Sequence, residues 1–435
     1  MLVNVLYLMA LVFAAPVIVY RSVRHGRYRR GLWQKSLGLS RSDAERLRAG
    51  ASRCIWLHAV SVGEVNLLAT LSAPLRSACP DHRLLVSTST DTGYDLAVNR
   101  FGEESVFFCP LDFTWSVRRT LNHLRPDALV LTELELWPNM IRRATLEQCP
   151  VMVVNGRLSQ RSNAGYRKLD SLFRPTFKRL TWVGAQDLPN AERFRERGCN
   201  DVDNTGSLKF DGAPSDRDDN DVQEWLNWSK AAPWHRIWCL GSTQAGEESM
   251  GLRVYQDLSK DHGELRMVIV PRHPERFDAV AREIFDHGYQ VLRVSEMAKD
   301  SRSEWPTGTV ILVDTIGALR AWWGVCQFAT VGGSFGDRGG QNMLEPAGYG
   351  CAVSFGPNTK NFRSIADGLL AAGGAVRVAD EQELREFIRR CLDQPPAADA
   401  LGRSAAAYVQ SHQGATSRTI KRLAEILESK SPGEN

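Results

Sequence analysis

The chain is predicted to fold as two doubly wound α/β domains in tandem behind an N-terminal membrane anchor. Three observations carry that expectation. Beyond residue 50, short β-branched runs alternate with helical stretches, the pattern of parallel strands joined by crossover helices. A length of 435 residues exceeds the size at which a single core stops growing. From Met1 to Tyr20 the one strongly polar residue is Asn4.

That first run is long enough for a bilayer span, which needs about 20 residues. Arg21, Arg24, Arg27, Arg29 and Arg30 follow it directly. A cleavable signal peptide carries its positive charge before the apolar stretch, so the order here predicts an uncleaved anchor over 1–20 and a basic juxtamembrane segment over 21–50. Basic flanks stay in the cytoplasm, which places the rest of the chain there, at the inner membrane. Pro16 allows a kink without forbidding a span. The alternative is a buried or interfacial helix whose arginines meet anionic headgroups.

Strands of the first domain are expected at Ile55 to Val60, Arg83 to Ser89, Ser105 to Cys109, Ala128 to Leu131, Val151 to Asn155 and Trp182 to Ala185, with helices such as Asn66 to Ala78 and Ala191 to Arg197 between them. Around Asp211 to Asp221 the composition turns to Asp, Ser, Pro and Asn, as in a solvated linker. The alternation restarts at Ile237 to Leu240, Met267 to Val270, Tyr289 to Val294, Thr309 to Val313, Phe328 to Val331, Ala352 to Phe355 and Ala375 to Val378. The expected limits are therefore 51–211 for the first domain, 212–233 for a linker, 234–398 for the second domain and 399–435 for C-terminal helices, broken near Gly414, that pack toward the first. No short-period repeat occurs, which excludes solenoids and propellers.

Hydrophobic residues make up 43% and charged residues 24%, which excludes a disordered chain or a multi-span membrane protein. The net charge of +4 gathers near the N-terminus and forms no stripe, so nucleic acid is not an expected partner. Nine scattered cysteines without a Cys-x-x-Cys spacing predict neither disulfides nor zinc; they are expected reduced and buried. His58 and His273 are too isolated for a metal site.

Ligands of open α/β sheets bind beyond the carboxyl ends of the strands. Just there stands Ser61-Val62-Gly63-Glu64, a glycine turn that brings a carboxylate to a helix start. Glu64 fits both a capping glutamate and a base for a hydroxyl acceptor. Thr132-Glu133-Leu134-Glu135-Leu136-Trp137-Pro138-Asn139 supplies two more carboxylates, one of which is equally suited to pairing with an arginine such as Arg157. Gly206-Ser207-Leu208-Lys209-Phe210-Asp211 closes the first domain with a lysine, either solvated or functional. In the second domain Pro271-Arg272-His273-Pro274-Glu275-Arg276 presents a guanidinium suited to phosphate or carboxylate, or to a local structural pair.

The richest cluster is Gly332-Gly333-Ser334-Phe335-Gly336-Asp337-Arg338-Gly339-Gly340-Gln341-Asn342-Met343-Leu344-Glu345, with five glycines in its first nine residues. A glycine turn running into a helix predicts a phosphate cradle, with Glu345 placed for ribose hydroxyls. It matches neither a dinucleotide fingerprint nor a P-loop. Nucleotide binding by the second domain follows.

Taken in order, these clusters resemble the Kdo (3-deoxy-D-manno-octulosonic acid) transferases from the anchor almost to the C-terminus. Trp56 to Glu64, Glu135 to Asn139, Asn155-Gly156-Arg157-Leu158-Ser159 with Arg161-Ser162, Lys209-Phe210-Asp211, Pro271 to Arg276 and Asn342 to Glu345 carry the likeness. The resemblance implies the GT-B fold, two Rossmann-like domains facing a cleft, with inverting transfer of Kdo from CMP-Kdo to a lipid A precursor in lipopolysaccharide biosynthesis. It makes Glu64 the general base, Glu133 and Lys209 transition-state stabilisers, and Pro271, Arg272, Ile316, Gly317, Ala318, Asn342, Met343, Leu344 and Glu345 the CMP site. CMP-Kdo is then a substrate and no cofactor or metal is expected. Gln244 and Gln341 stand where that family usually has histidine, and Ala318 where it has glutamate. The competing expectations are a UDP-sugar-dependent GT-B enzyme acting on a lipid, and an inactive nucleotide-binding membrane protein.

Overall fold

The computed structural model describes Asn4, Val5, residues 7–9, Val12, Phe13, Ala15, Pro16, Tyr20, Arg24, and residues 29–299 and 302–429. The chain divides into two compact units, Met1–Gly212 with His412–Asn435, and Ala213–Ser411. Each is built on a parallel sheet of seven strands.

The first sheet comprises β1 (Arg53–His58), β2 (His82–Thr88), β3 (Val106–Phe108), β4 (Ala128–Thr132), β5 (Val151–Gly156), β6 (Trp182–Ala185) and β7 (Val202–Asn204), in the order β3-β2-β1-β4-β5-β6-β7. Strand β1 shows why the sheet sits in the middle of its unit. Ile55 and Leu57 pack into one layer with Val65, Leu68, Leu71 and Leu75, while Cys54 and Trp56 point into the other with Leu47, Val117, Leu121 and Leu124. Both faces are apolar, as a sheet covered by helices on both sides requires. Burying each leucine stabilises the fold by about 1.5–3 kcal/mol, so one charge at Leu57 would break the layer.

The second sheet comprises β8 (Arg236–Thr243), β9 (Leu265–Pro271), β10 (Gln290–Arg293), β11 (Thr309–Leu312), β12 (Phe328–Val331), β13 (Ala352–Phe355) and β14 (Ala375–Arg377), ordered β10-β11-β9-β8-β12-β13-β14. In both sheets the strand order reverses beside the first strand of the unit, between β1 and β4 and between β8 and β12. These are the topological switch points, where loops diverge and leave a crevice.

The structure departs from the sequence reading in three places. Strand β7 went unexpected because Val202-Asp203-Asn204 holds one apolar residue, enough for an edge strand and too little for a pattern. The expected linker contains a helix, Asn220–Ser229, capped by Asp219 and carrying Val222 and Trp228 on its buried side. Trp225 and Trp228 lie 5.7 and 6.1 Å from Trp322, ring centroid to centroid, and that aromatic packing outweighs the polar composition before it. The C-terminal segment splits: Pro395–Ser411 belongs to the second unit and only Ala415–Glu428 to the first. There Leu423 and Leu427 join Leu68 and Leu71, and the Asp211 carboxylate accepts from the Gly414 amide at 2.7 Å and from the Thr416 amide. No helix among the described residues is long and apolar enough to cross a membrane. The anchor expected over 1–20 lies in large part outside the described residues. Of that run, Asn4 donates to Thr114 Oγ1 at 2.8 Å and the Tyr7 hydroxyl to Asp112 at 3.1 Å. All nine cysteines are free and buried, as expected.

Candidate active site

At the first switch point β1 ends at His58 and its helix opens at Val62 behind Ser61. Glu64 is in the first turn. Its Oε2 accepts from the Val60 amide at 2.8 Å and lies 2.9 Å from Thr132 Oγ1, and its Oε1 accepts from Ser61 Oγ at 3.0 Å. Thr132 ends β4, so one carboxylate ties the two strands that flank the crevice. Gly63 faces open space beyond a single serine oxygen.

Glu133 follows β4 with φ of +51°, a left-handed backbone held at a cost of about 1–3 kcal/mol for a residue other than glycine. Asn155, at φ +54°, meets it: its Nδ2 is 3.4 Å from Glu133 Oε1, and its Oδ1 accepts from the Leu208 amide at 3.1 Å. Lys209 Nζ is 3.6 Å from Glu133 Oε1. Asn155 thus sets the carboxylate of one loop against the ammonium of another. Glu135 is half-buried beside them; burial, with help from Glu64 and Glu133 and opposed by the Trp137 indole, pushes its carboxyl up to about 7. His58 is structural: burial lowers its imidazole to about 4, and Nδ1 meets Ser87 Oγ at 2.8 Å.

In the second unit Pro271 ends β9 and Arg272 is exposed just beyond it. Arg276 makes the structural pair, bidentate to the buried Glu248 at 2.6 and 2.9 Å, while the Arg272 guanidinium stays exposed. After β11 comes the turn of Ile316, Gly317 and Ala318, with Ile316 86% exposed and Gly317 at φ +93°. After β12, Asn342 Nδ2 donates to Glu345 Oε1 at 3.0 Å and Asn342 Oδ1 accepts from the Leu344 amide, which opens the helix Leu344–Gly348. Burial raises the Glu345 carboxyl above its usual range, while Asn342 and the charges of Arg320 and Arg272 pull it back. All these turns leave the carboxyl edge of one sheet.

The glycine cluster does not serve throughout as a phosphate cradle. Glu247, 4% exposed, accepts from the amides of Gly333 at 2.8 Å, Ser334 at 3.1 Å and Phe335 at 3.2 Å, and from that of Gln244 at 2.8 Å. A buried carboxylate needs such donors, so these amides are occupied by the protein's own anion. Gly332 has no room for a side chain, because a Cβ there would stand 2.7 Å from Glu247 and 2.8 Å from Thr243 Cα. Close packing accounts for part of the glycine richness.

Residues 30–212 match the family described as "3-Deoxy-D-manno-octulosonic-acid transferase (kdotransferase)". The 3-deoxy-D-manno-octulosonic acid transferase of Haemophilus influenzae is 31% identical over 382 residues, 86% of this chain and 87% of that protein. That of Bordetella pertussis is 30% identical over 434 residues, 97% of this chain and 99% of its own length. The chain belongs to the Kdo transferase family. It is accordingly a glycosyltransferase. UDP-GlcNAc 2-epimerase from Neisseria meningitidis, solved with UDP-GlcNAc, shares the fold at a TM-score of 0.57 and 12% identity, covering 86% of this chain and 100% of that one. The solved neighbours are of the GT-B type.

Within this Kdo transferase the structure brings Glu64, Glu133 and Lys209 to one switch point, and sets Pro271, Arg272, the 316–318 turn and Asn342 to Glu345 along one sheet edge. It does not pair Glu133 with Arg157; the cation beside Glu133 is Lys209. Sequence reasoning gave no role to two residues that shape the sites. Asn155 was legible as Asn-Gly after a strand, a left-handed signal. Glu247 had its counterpart in Gly63-Glu64, since Gly246-Glu247 also opens the helix after the first strand of a sheet. Gln244, already singled out in the sequence, has a buried Nε2 without a hydrogen-bond partner.

Proposed function

We propose that this glycosyltransferase moves Kdo from CMP-Kdo to a lipid A precursor with inversion, in lipopolysaccharide biosynthesis. The acceptor hydroxyl oxygen bonds to the anomeric carbon of Kdo as the bond from that carbon to the phosphate oxygen breaks. CMP leaves with the electron pair and the hydroxyl proton passes to Glu64, a role that contributes about 10²–10⁴-fold in rate. Lys209, set by Glu133, offsets charge developing at the reacting centre. Pro271, Arg272, the Ile316–Ala318 turn and Asn342 to Glu345 hold the nucleotide. CMP-Kdo is a substrate, and the chemistry asks for no metal or cofactor.

The observation that supports this most directly is the meeting of Glu64, Glu133 and Lys209 at a switch point in a chain of this family. Work at the cytoplasmic face of the inner membrane is part of the same proposal. It rests on the apolar run before Arg21 and on exposed Trp33 and Trp115, 77% and 45% accessible, aromatic side chains of the kind that favour a lipid interface. Calorimetry of CMP and UMP binding to wild type and Arg272→Ala tests the donor site. CMP binding that weakens about 10-fold or more in the variant is expected, as for a lost charge-assisted contact. Preference for UMP would make this a UDP-sugar enzyme instead.

A further inference from the structure

Lys209 stands in a helix of four residues, Leu208–Asp211. So short a helix does not hold itself, and the 3.6 Å approach of Lys209 Nζ to Glu133 Oε1 is set by what pins the segment around it. Asn155 pins its start through the Leu208 amide. A second grip comes from far along the chain, which leaves this unit after Gly212 and returns to it at His412.

On its return the turn that opens the helix Ala415–Glu428 holds residues 205–211 at both ends. Arg418 Nε donates to the Thr205 carbonyl at 2.8 Å, and Gly206, at φ +85°, lies so close to the same guanidinium that a Cβ there would stand 3.0 Å from Nη2. At the other end the Asp211 carboxylate accepts from the Gly414 amide at 2.7 Å and from the Thr416 amide, while Gln413 Nε2 donates to the Phe210 carbonyl at 3.4 Å. The Phe210 ring stacks on that of His412, with centroids 4.8 Å apart, and Leu208 is buried in the same layer as Ala415, Ile420 and Leu423. A helix start is ordinarily capped by the side chain of its own N-cap residue. Gly414 has none, and the cap is instead the carboxylate two residues beyond Lys209, where the helix dipole favours its charge.

We propose that Asp211 and Arg418 are positioning residues of the transfer: they fasten the segment that carries Lys209 to the C-terminal helix and so fix its ammonium beside Glu133. The inference rests on the transfer reading given above. Both residues act through Lys209. Loosening either grip lets the ammonium drift from the reacting centre, and because charge develops there only in the transition state, kcat falls while the acceptor's KM stays.

The test compares initial rates of the full chain in membranes, with a lipid A precursor and CMP-Kdo generated in place, for wild type, Asp211→Asn and Arg418→Ala, each variant also made on Lys209→Gln. In both single variants kcat should fall, by about 10-fold or more for Asp211→Asn, the scale of one hydrogen bond to a charged group, with the acceptor's KM unchanged. On Lys209→Gln the same changes should cost less than about 2-fold, since the group they act through is gone. A wild-type kcat in both variants, or an undiminished loss on Lys209→Gln, overturns the proposal. Arg418 is exposed, so its cycle decides the matter if Asp211→Asn does not fold. Acetylation of Lys209 by acetic anhydride without substrate, followed by peptide mass, should run about 3-fold faster in each single variant than in wild type, the scale of one partly exposed ion pair. Equal rates overturn the proposal even where Kdo is transferred. Faster labelling in variants of a protein that transfers no Kdo would instead overturn the donor and acceptor assignment.

Discussion

Glu64 and Glu247 hold equivalent places in the two sheets: each follows a glycine in the first turn of the helix after the first strand, and each accepts hydrogen bonds from the chain across its switch point. Glu64 reaches Thr132 at the end of β4, and Glu247 reaches Gly333, Ser334 and Phe335 beyond β12. The duplicated fold thus places a carboxylate at each crevice. In the second unit the carboxylate is buried and structural; in the first it is partly open, which makes chemistry available at the same position.

Replacing Glu247 by Gln turns an amide NH₂ toward backbone N–H groups and removes the charge they share. Unfolding in urea should show a loss of about 3 kcal/mol or more, two charged hydrogen bonds' worth, with CMP binding weakened alongside. Unchanged stability would mean that the glycine turn holds itself.

Asn155 acts twice, through its left-handed backbone and through its carboxamide. Asn155→Gly keeps the backbone and removes the link to Glu133 and Leu208; Asn155→Ala loses both. Turnover should fall by about 10-fold or more in each, the scale of one hydrogen bond to a charged group, while thermal unfolding should place Ala below Gly by about 1 kcal/mol. Equal activity in Asn155→Gly and wild type would show that the Glu133–Lys209 geometry needs no such brace.

Asp112 is 3% exposed and accepts from the Asn139 and Met140 amides at 2.9 and 2.7 Å, which anchors the helix Pro138–Leu146 beside the site. Burial outweighs these bonds and raises its carboxyl from 3.8 to about 6. Its folded form therefore binds a proton more tightly than its unfolded form, so its contribution favours folding at low pH and declines as pH rises from about 4 to about 6. Denaturation across that window should show this declining term in wild type and its loss in Asp112→Asn. Parallel stability curves for the two would contradict it.

Ala318 follows exposed Ile316 in the turn proposed to contact the nucleotide, and brings no charge to it. Ala318→Glu should tighten CMP binding by about 10-fold, the scale of one charge-assisted hydrogen bond, measured by calorimetry. No change would show that the turn contacts the nucleotide through its backbone alone.

The strands and their order of chemistry were legible because parallel sheets write themselves as short apolar runs with functional residues just after them. Glu64, Glu133 and Lys209 were legible one at a time, but their meeting depends on Asn155, whose carboxamide joins β5 to the start of the helix at Leu208. The opposite failure occurred at Gly333 to Phe335: glycine richness suggested a ligand, and the structure fills those amides with a glutamate from far along the chain. The helix that carries Trp225 and Trp228 leaves little trace in local composition, because aromatic contact with Trp322 stabilises it.

The most direct test of the central claim is incubation of the full chain in membranes with a lipid A precursor and CMP-Kdo generated in place, followed by the mass of the lipid product, with Glu64→Ala beside wild type. A Kdo adduct formed by wild type and missing with the variant is the predicted result. No adduct from folded wild-type protein, or an adduct undiminished in Glu64→Ala, would contradict the account.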